Sequence, residues 1–205
     1  RMCDSFDGTT AVSQPFVSGA QSRQDSSMAN YKGGLLVFGG WSYDDGTSTR
    51  LSDTEIFTPE VGFSAAQPMI TAANRMNSLS IGTDRVIMFG GYLEREGITD
   101  KIFTFYNDEW SFLGNMVVGN SRTTAIMIGS SIIVSSGQQS GVIQQFEWDG
   151  DSISKGKIVA DVGDYKQLNY PIVIPELFEE CERPTNEFIF GAPLGEADSG
   201  YEFTT

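Results

Sequence analysis

The chain has 205 residues, 40% of them hydrophobic and 12% aromatic, which is enough apolar material for one sizeable core. Its formal net charge is −14. Because a nucleic-acid-binding surface has to be basic, this charge argues against a nucleic-acid-binding protein, and also against one held at anionic membranes. No apolar run approaches the roughly 18–20 residues of a membrane-spanning helix.

The chain contains two cysteines, Cys3 and Cys181, and no histidine. Serine–histidine and cysteine–histidine catalytic pairs are therefore absent from this sequence, and two distant cysteines make neither a disulfide framework nor a zinc site. We predict a protein without catalysis, cofactor or metal. Since the sequence also lacks an Asn-x-Ser/Thr sequon, it favours a reducing compartment such as the cytoplasm, with an extracellular location left open.

The first predicted element is a strand over residues 2–6, which a short turn joins to an outer strand from Ala11 to Val17. Related segments repeat further along the chain. When residues 1–19 are aligned with them, they correspond to the end of one repeat unit. We therefore expect the strands that begin this unit to lie either at the far end of this chain or in sequence that precedes it.

Three related segments come next, and in each of them a short apolar run ends at glycine. They are GLLVFGGW from Gly34, RVIMFGGY from Arg85 and SIIVSSGQ from Ser131. The glycine pairs at 39–40 and 90–91 lie 51 residues apart, and the pair at 136–137, Ser-Gly, follows 46 residues later. An arginine precedes each run, and these are Arg23, Arg75 and Arg122, at intervals of 52 and 47. Several kinds of residue thus recur together at intervals of about 45–50 residues, and a repeat of this length is typical of propeller blades.

Within one unit, the apolar run predicts a strand that is covered on both faces, since a strand with one face in water would alternate. Glycine at its end allows a sharp turn with positive φ. A third strand carries aromatics, as in residues 102–106, and a tight turn leads to an outer strand that begins at Phe63, Trp110 or Ile153. The sequence thus predicts four antiparallel strands per unit. The predicted blades cover residues 20–70, 71–117 and 118–160, with a degenerate partial blade over 161–205.

Two further sets of residues occupy positions that are apolar in successive repeats. Met69 and Met116 recur six residues after the start of an outer strand, and Trp110 and Trp148 occupy aromatic columns. We predict that all four are core residues rather than binding residues.

The segments VFGGW and IMFGGY, together with the spacing from Trp110 to Met116, resemble Kelch repeats. The resemblance covers residues 1–160 well and 161–205 poorly, and Phe63 and Ile153 stand where the family usually has tryptophan. It implies an all-β fold, a β-propeller of four-stranded antiparallel blades, with about four blades in a single domain or fragment over residues 1–205. Two arrangements stay open. One is a four-bladed ring closed by the N-terminal strand; the other, which we favour, is a piece of a larger ring whose missing blades would be partners of this segment.

The resemblance also implies a function. In peptide-binding Kelch propellers, the arginine that opens a blade and the aromatic that follows the glycine pair often line one loop face. The matching residues here are Arg23, Arg75, Arg122, Trp41 and Tyr92. We predict a non-catalytic protein–protein interaction scaffold that binds a peptide or protein at this face. Two alternatives stay open: the arginines brace the blades through backbone carbonyls, or the chain is an extracellular structural or carbohydrate-contacting propeller.

Overall fold

The computed structural model describes residues 3–6, 11–14, 23–44, 47–135 and 137–163. The chain divides into two compact units, Arg1–Pro171 and Ile172–Thr205, and every described residue belongs to the first. All regular structure in the described ranges is β-strand, so they contain no helix that is long and apolar enough to cross a membrane. The partial blade predicted over residues 161–205 lies almost wholly outside the described residues.

The strands are numbered along the chain. They are β1 (Cys3–Phe6), β2 (Ala11–Gln14), β3 (Ser27–Tyr31), β4 (Gly34–Phe38), β5 (Trp41–Asp44), β6 (Thr47–Arg50), β7 (Thr54–Thr58), β8 (Gly62–Ala66), β9 (Ala73–Asn74), β10 (Asn77–Ile81), β11 (Arg85–Phe89), β12 (Tyr92–Leu93), β13 (Gly97–Ile98), β14 (Lys101–Tyr106), β15 (Glu109–Asn115), β16 (Ala125–Ile128), β17 (Ser131–Val134), β18 (Val142–Glu147) and β19 (Lys157–Asp161). β1 and β2 form an antiparallel hairpin.

Most of the strands form three four-stranded sheets. Sheet 1 has the order β3-β4-β7-β8, sheet 2 has β10-β11-β14-β15 and sheet 3 has β16-β17-β18-β19, and neighbouring strands in each are antiparallel. The prediction of an all-β fold of antiparallel strands is confirmed. The predicted strands at 102–106 and 131–134 are strands β14 and β17.

Two small insertions were not predicted. The hairpin β5-β6 interrupts sheet 1 between β4 and β7, and β12-β13 interrupts sheet 2 at the same point, where β12 also pairs with β9. Both insertions begin directly after a glycine pair, so the aromatic that follows each pair opens a short hairpin strand.

The predicted start of the outer strand of sheet 3 is wrong. Ile153 makes only an isolated bridge with Trp148, and β19 begins at Lys157. Residues 148–156 form a loop, and hydrogen bonds from Asp151 and Ser152 to the Asp149 carboxylate hold its first turn. Gly156 then passes so close under the ring of Phe146 that a Cβ there would overlap it.

Sheet 2 is covered on both faces, as the unbroken apolar run of β11 predicts. All five residues of β11 are buried, and successive side chains enter different cores. Val86 and Met88 pack in a core shared with sheet 1, whereas Ile87 and Phe89 pack in a core shared with sheet 3. The three sheets therefore stack face to face in chain order.

The residues predicted to hold the apolar columns lie in these two cores. Met69 and Trp110 belong to the core between sheets 1 and 2, and Met116 and Trp148 to the core between sheets 2 and 3. All four are buried, which confirms their assignment to the core. The indole N–H of Trp110 donates to the hydroxyl of Thr54 at 3.1 Å, so its one polar group is paired across the sheets.

Candidate functional site

Glycine pairs at 39–40 and 90–91 end β4 and β11, and they define what we call the glycine end of the sheets. All four glycines have positive φ, between 57° and 102°, which a residue with a side chain adopts only under strain. The second glycine of each pair donates its N–H to the chain that enters the next sheet, to the Ala73 carbonyl at 2.7 Å and to the Asn120 carbonyl at 2.9 Å. Neighbouring sheets therefore touch backbone to backbone at this end.

Replacing Gly90 with alanine is expected to lower the free energy of unfolding by about 2–4 kcal/mol. A Cβ there would overlap the carbonyl oxygen of Asn120 and the methyl group of Met116, in addition to the strain of an L-residue at positive φ. Gly82→Ala is the matched control, because Gly82 has a φ of 59° but nothing within 4 Å of an added Cβ. Urea unfolding of both variants separates the cost of an L-residue at positive φ from the cost of the Cβ overlap. Equal losses of unfolding free energy in the two variants would contradict this account.

Three charged residues meet at the glycine end, one from the chain entering each sheet. Asp25, Arg75 and Arg122 have φ of 55°, 58° and 56°. The N–H of Arg75 donates to the Asp25 carbonyl and the N–H of Arg122 to the Arg75 carbonyl, both at 2.9 Å. Left-handed conformations of this kind at residues other than glycine store strain and are concentrated at functional sites.

The side chains of these three residues form what we call the Asp25 cluster. One carboxylate oxygen of Asp25 lies 3.0 Å from Nε of Arg75 and 3.4 Å from Nη2 of Arg122. The two guanidinium side chains are 34% and 41% exposed. Because one carboxylate faces two guanidinium groups, the cluster keeps a net positive charge that reaches solvent.

Arg23 does not share the position of Arg75 and Arg122. The strand register places Asp25 there, because Gln24 bridges Trp41 in the same way that Asn74 pairs with Tyr92. The alignment of Arg23 with the other two arginines is therefore wrong by two residues. Residue type, rather than strand register, suggested it.

Arg23 instead braces sheet 1 from within. Its side chain is 5% exposed and forms an ion pair of 2.6 Å with Glu55, whose side chain is 10% exposed. Its Nη1 donates to the backbone carbonyls of Gly39 and Asp53, both at 3.0 Å. These are the bracing contacts through backbone carbonyls that formed one alternative for the arginines.

Trp41 and Tyr92 are brought together by a residue that the sequence analysis missed. The guanidinium carbon of Arg50 lies 4.4 Å from the ring centre of Trp41 and 4.6 Å from that of Tyr92. Its Nε donates to the side-chain oxygen of Asn74 at 3.0 Å. We call these residues the Arg50 stack.

The sequence contained a signal that could have located Arg50. Asp45-Gly46 is a strong hairpin dipeptide, and a hairpin there pairs Trp41 with Arg50.

The Arg50 stack and the Asp25 cluster adjoin through the backbone. Trp41 bridges Gln24, the neighbour of Asp25. Tyr92 pairs with Asn74, the neighbour of Arg75. Of the five residues that the Kelch resemblance indicated, four lie at the glycine end in these two adjoining groups, and the exception is Arg23.

Sheet 3 ends differently. Gln138 takes the place of the aromatic, and its N–H donates to the Ser121 carbonyl at 2.8 Å. The side-chain oxygen of Gln138 and the hydroxyl of Thr123 are both buried and have no hydrogen-bond partner in the described part of the chain. Among the residues that the structure describes at this end of sheet 3, no guanidinium is stacked on an aromatic ring, so the aromatic part of the described site belongs to sheets 1 and 2.

The opposite end of the sheets carries a separate polar cluster that joins sheet 1 to sheet 2. The hydroxyl of Tyr31 donates to Asp108 at 2.8 Å, and Nζ of Lys32 lies 2.9 Å from the same carboxylate. Burial and the bond to Asp108 raise the pKa of Tyr31, whereas the bonds from Lys32 and then Tyr31 lower the pKa of Asp108. Because these bonds tie the β3-β4 turn to the β14-β15 turn, we assign the cluster a structural role.

Asp149 stabilises the loop between β18 and β19. One carboxylate oxygen accepts the N–H groups of Ser152 and Asp151 at 2.7 and 2.9 Å, and the other accepts the hydroxyl of Ser152 at 2.7 Å. These bonds, first among them the backbone bond from Ser152, lower the pKa of Asp149 from 3.8 to about 2.

Acid unfolding is expected to depend on Asp149. Because its pKa is lower in the folded than in the unfolded chain, its stabilising effect is fully present above about pH 4 and is lost as the pH falls to about 2. The Asp149→Asn variant should therefore show a flatter fall in Tm over this range than the unmodified chain. Circular dichroism melts at several pH values make the comparison, and parallel curves would refute it.

The described part of the chain is thus an all-β protein of stacked antiparallel sheets, with a cationic and aromatic surface at one end. No three histidine, cysteine, aspartate or glutamate side chains within the described ranges lie close enough to share a metal ion. Neither a protein-family model nor a curated protein sequence matches the chain.

A solved structure shares the fold. The structure described as "Structure of YjhT" superposes with a TM-score of 0.64 at 12% sequence identity, over 80% of this chain. The match covers 60% of the length of that structure. At this identity the likeness concerns the fold alone.

Proposed function

We propose that this chain is a Kelch-type β-propeller segment whose blades are the three four-stranded sheets, and that its glycine end binds a peptide or protein partner without catalysis. The in-phase repeat and the face-to-face stacking of sheets that are covered on both faces support the propeller. We propose that the segment belongs to a larger ring.

One observation carries the binding function. The Asp25 cluster and the Arg50 stack place arginines and large aromatics side by side at the junction of the sheets. Arginine, tryptophan and tyrosine are the residues that contribute most to protein–protein binding energy. Loops and strand ends on a rigid scaffold are also where binding residues gather.

A carbohydrate-contacting propeller has less support. Sugar rings stack on open aromatic faces, but Trp110 and Trp148 are 8% and 7% exposed. The ring of Trp41 is covered on one side by the Arg50 guanidinium. We therefore keep the carbohydrate function as an outcome of the test rather than as a second proposal.

A random peptide library and a glycan array, screened with the same purified full chain, test the proposal. We expect peptides to be enriched, and Tyr92→Ala to weaken their capture. Val61→Ala is the control, because Val61 is 77% exposed in the β7-β8 turn, at the opposite end of sheet 1. Failure to enrich any peptide, or glycan binding that Trp41→Ala abolishes, would refute the proposal.

A further inference from the structure

We infer that Arg50 recognises a carboxylate of the partner, so that the partner is a peptide segment bearing aspartate, glutamate or a free C-terminus at this point. The inference rests on the proposed function and deepens it. It gives the chemical class of the group that enters the site and the residue that selects it. Arg50 lies at the end of β6, directly opposite Trp41 at the start of β5.

The surroundings of Arg50 fix its orientation. Its guanidinium lies over two aromatic rings, and its Nε is bonded to Asn74, which is itself 1% exposed. The plane and the direction of the guanidinium are therefore set before any partner arrives. An arginine held in this way loses less side-chain entropy on binding than a mobile one does.

The remaining donors of Arg50 are open to a ligand. Among the described residues, Arg50 donates its one side-chain hydrogen bond from Nε to Asn74, and Nη1 and Nη2 make none. These two nitrogens form the fork that a carboxylate accepts with two parallel hydrogen bonds. The guanidinium carbon lies 4.4 and 4.6 Å from the two ring centres, and Nε is bonded to Asn74, so a carboxylate that pairs with Arg50 meets it through Nη1 and Nη2.

Charge favours an acidic segment at this place. The chain as a whole carries −14, and an acidic peptide is repelled by most of such a surface. Arg75 and Arg122 of the Asp25 cluster, which adjoins the Arg50 stack through the backbone, add positive charge at the same end of the sheets.

The test uses two synthetic random peptide libraries on beads, one with free C-termini and one with amidated C-termini, screened with the full chain. We expect the enriched peptides to carry aspartate or glutamate at a fixed position, or to come only from the library with free C-termini. The first result identifies a side-chain carboxylate and the second a terminal one.

Variants then assign the recognition to Arg50. Arg50→Gln should weaken the best peptide about 10-fold to 100-fold, since bonds to charged groups contribute about 1.5–3 kcal/mol. Arg50→Lys should restore little of the affinity, because it keeps the charge but lacks the planar fork. The matched control is Arg95→Gln, which removes the same charge from the exposed turn between β12 and β13 and should change the affinity little.

The outcomes separate this inference from the proposed function. Peptides enriched without any preference for a carboxylate would overturn the role of Arg50 and leave peptide binding intact. Equal losses in Arg50→Gln and Arg95→Gln would also overturn it, because the effect would then be general electrostatics. If no peptide is enriched from either library, both the proposed function and this inference fail.

Discussion

Replacing Arg23 with methionine is expected to lower the free energy of unfolding by about 3–5 kcal/mol, because it leaves a buried carboxylate without its partner. The Arg23–Glu55 pair is almost entirely removed from solvent, with side chains 5% and 10% exposed. The substitution also removes the donors that hold the carbonyls of Gly39 and Asp53. Urea unfolding monitored by tryptophan fluorescence measures the loss.

A second variant distinguishes a lost ion pair from a general packing defect. Arg23→Met combined with Glu55→Met removes both charges and replaces them with side chains of similar size. We expect the double variant to regain much of the lost stability, since an apolar pair substitutes well for a buried ion pair. A double variant as unstable as the single one would show that the carbonyl contacts, rather than the charge pair, stabilise sheet 1.

Phe105→Ala is expected to lower the free energy of unfolding by about 3–5 kcal/mol. Phe105 is fully buried on β14, and its ring centre lies 5.1 Å from those of both Tyr31 and Trp110. Tyr31 belongs to sheet 1 and Trp110 to sheet 2, so the ring joins the two sheets. Truncation leaves a cavity at their contact, which rigid strands on both sides cannot close.

Phe112→Ala provides the control for Phe105. Phe112 lies on the neighbouring strand β15 and is 54% exposed, so the same truncation there should cost less than about 1 kcal/mol. Thermal melts of both variants against the unmodified chain give the comparison. Similar losses would mean that sheets 1 and 2 are not held together by the core around Phe105.

Much of the fold could be predicted from the sequence, because the pattern of apolar residues shows which strands are buried on both faces. The unbroken run of β11 can only lie between two covered faces, and the positive φ that each glycine pair permits ends the strand. The hairpins β5-β6 and β12-β13 were missed because their strands are short and bury few side chains, so the hydrophobic pattern does not show them. For β5-β6 only the dipeptide Asp45-Gly46 indicates a hairpin. The late start of β19 was missed because Ile153 lies in the preceding loop yet packs against the core between sheets 2 and 3. An apolar residue that is buried from a loop gives the same sequence pattern as one in a strand.

The site was predicted less completely. Trp41 and Tyr92 were found through their place after the glycine pairs, and Arg75 and Arg122 through their spacing. Arg23 was aligned by residue type, whereas strand register places Asp25 beside the other two arginines. Arg50 contacts Tyr92 from the neighbouring sheet, and such a contact between sheets depends on how they stack.

The central claim is that a partner binds at the glycine end, and fluorine NMR of the chain labelled with 5-fluorotryptophan tests it most directly. The chain has three tryptophans: Trp41 lies in the site, whereas Trp110 and Trp148 are buried in the two cores. On titration with the best peptide from the library, we predict that the Trp41 resonance shifts and that the other two stay in place. A bound peptide that leaves Trp41 unchanged, or that shifts Trp148 instead, would contradict the claim.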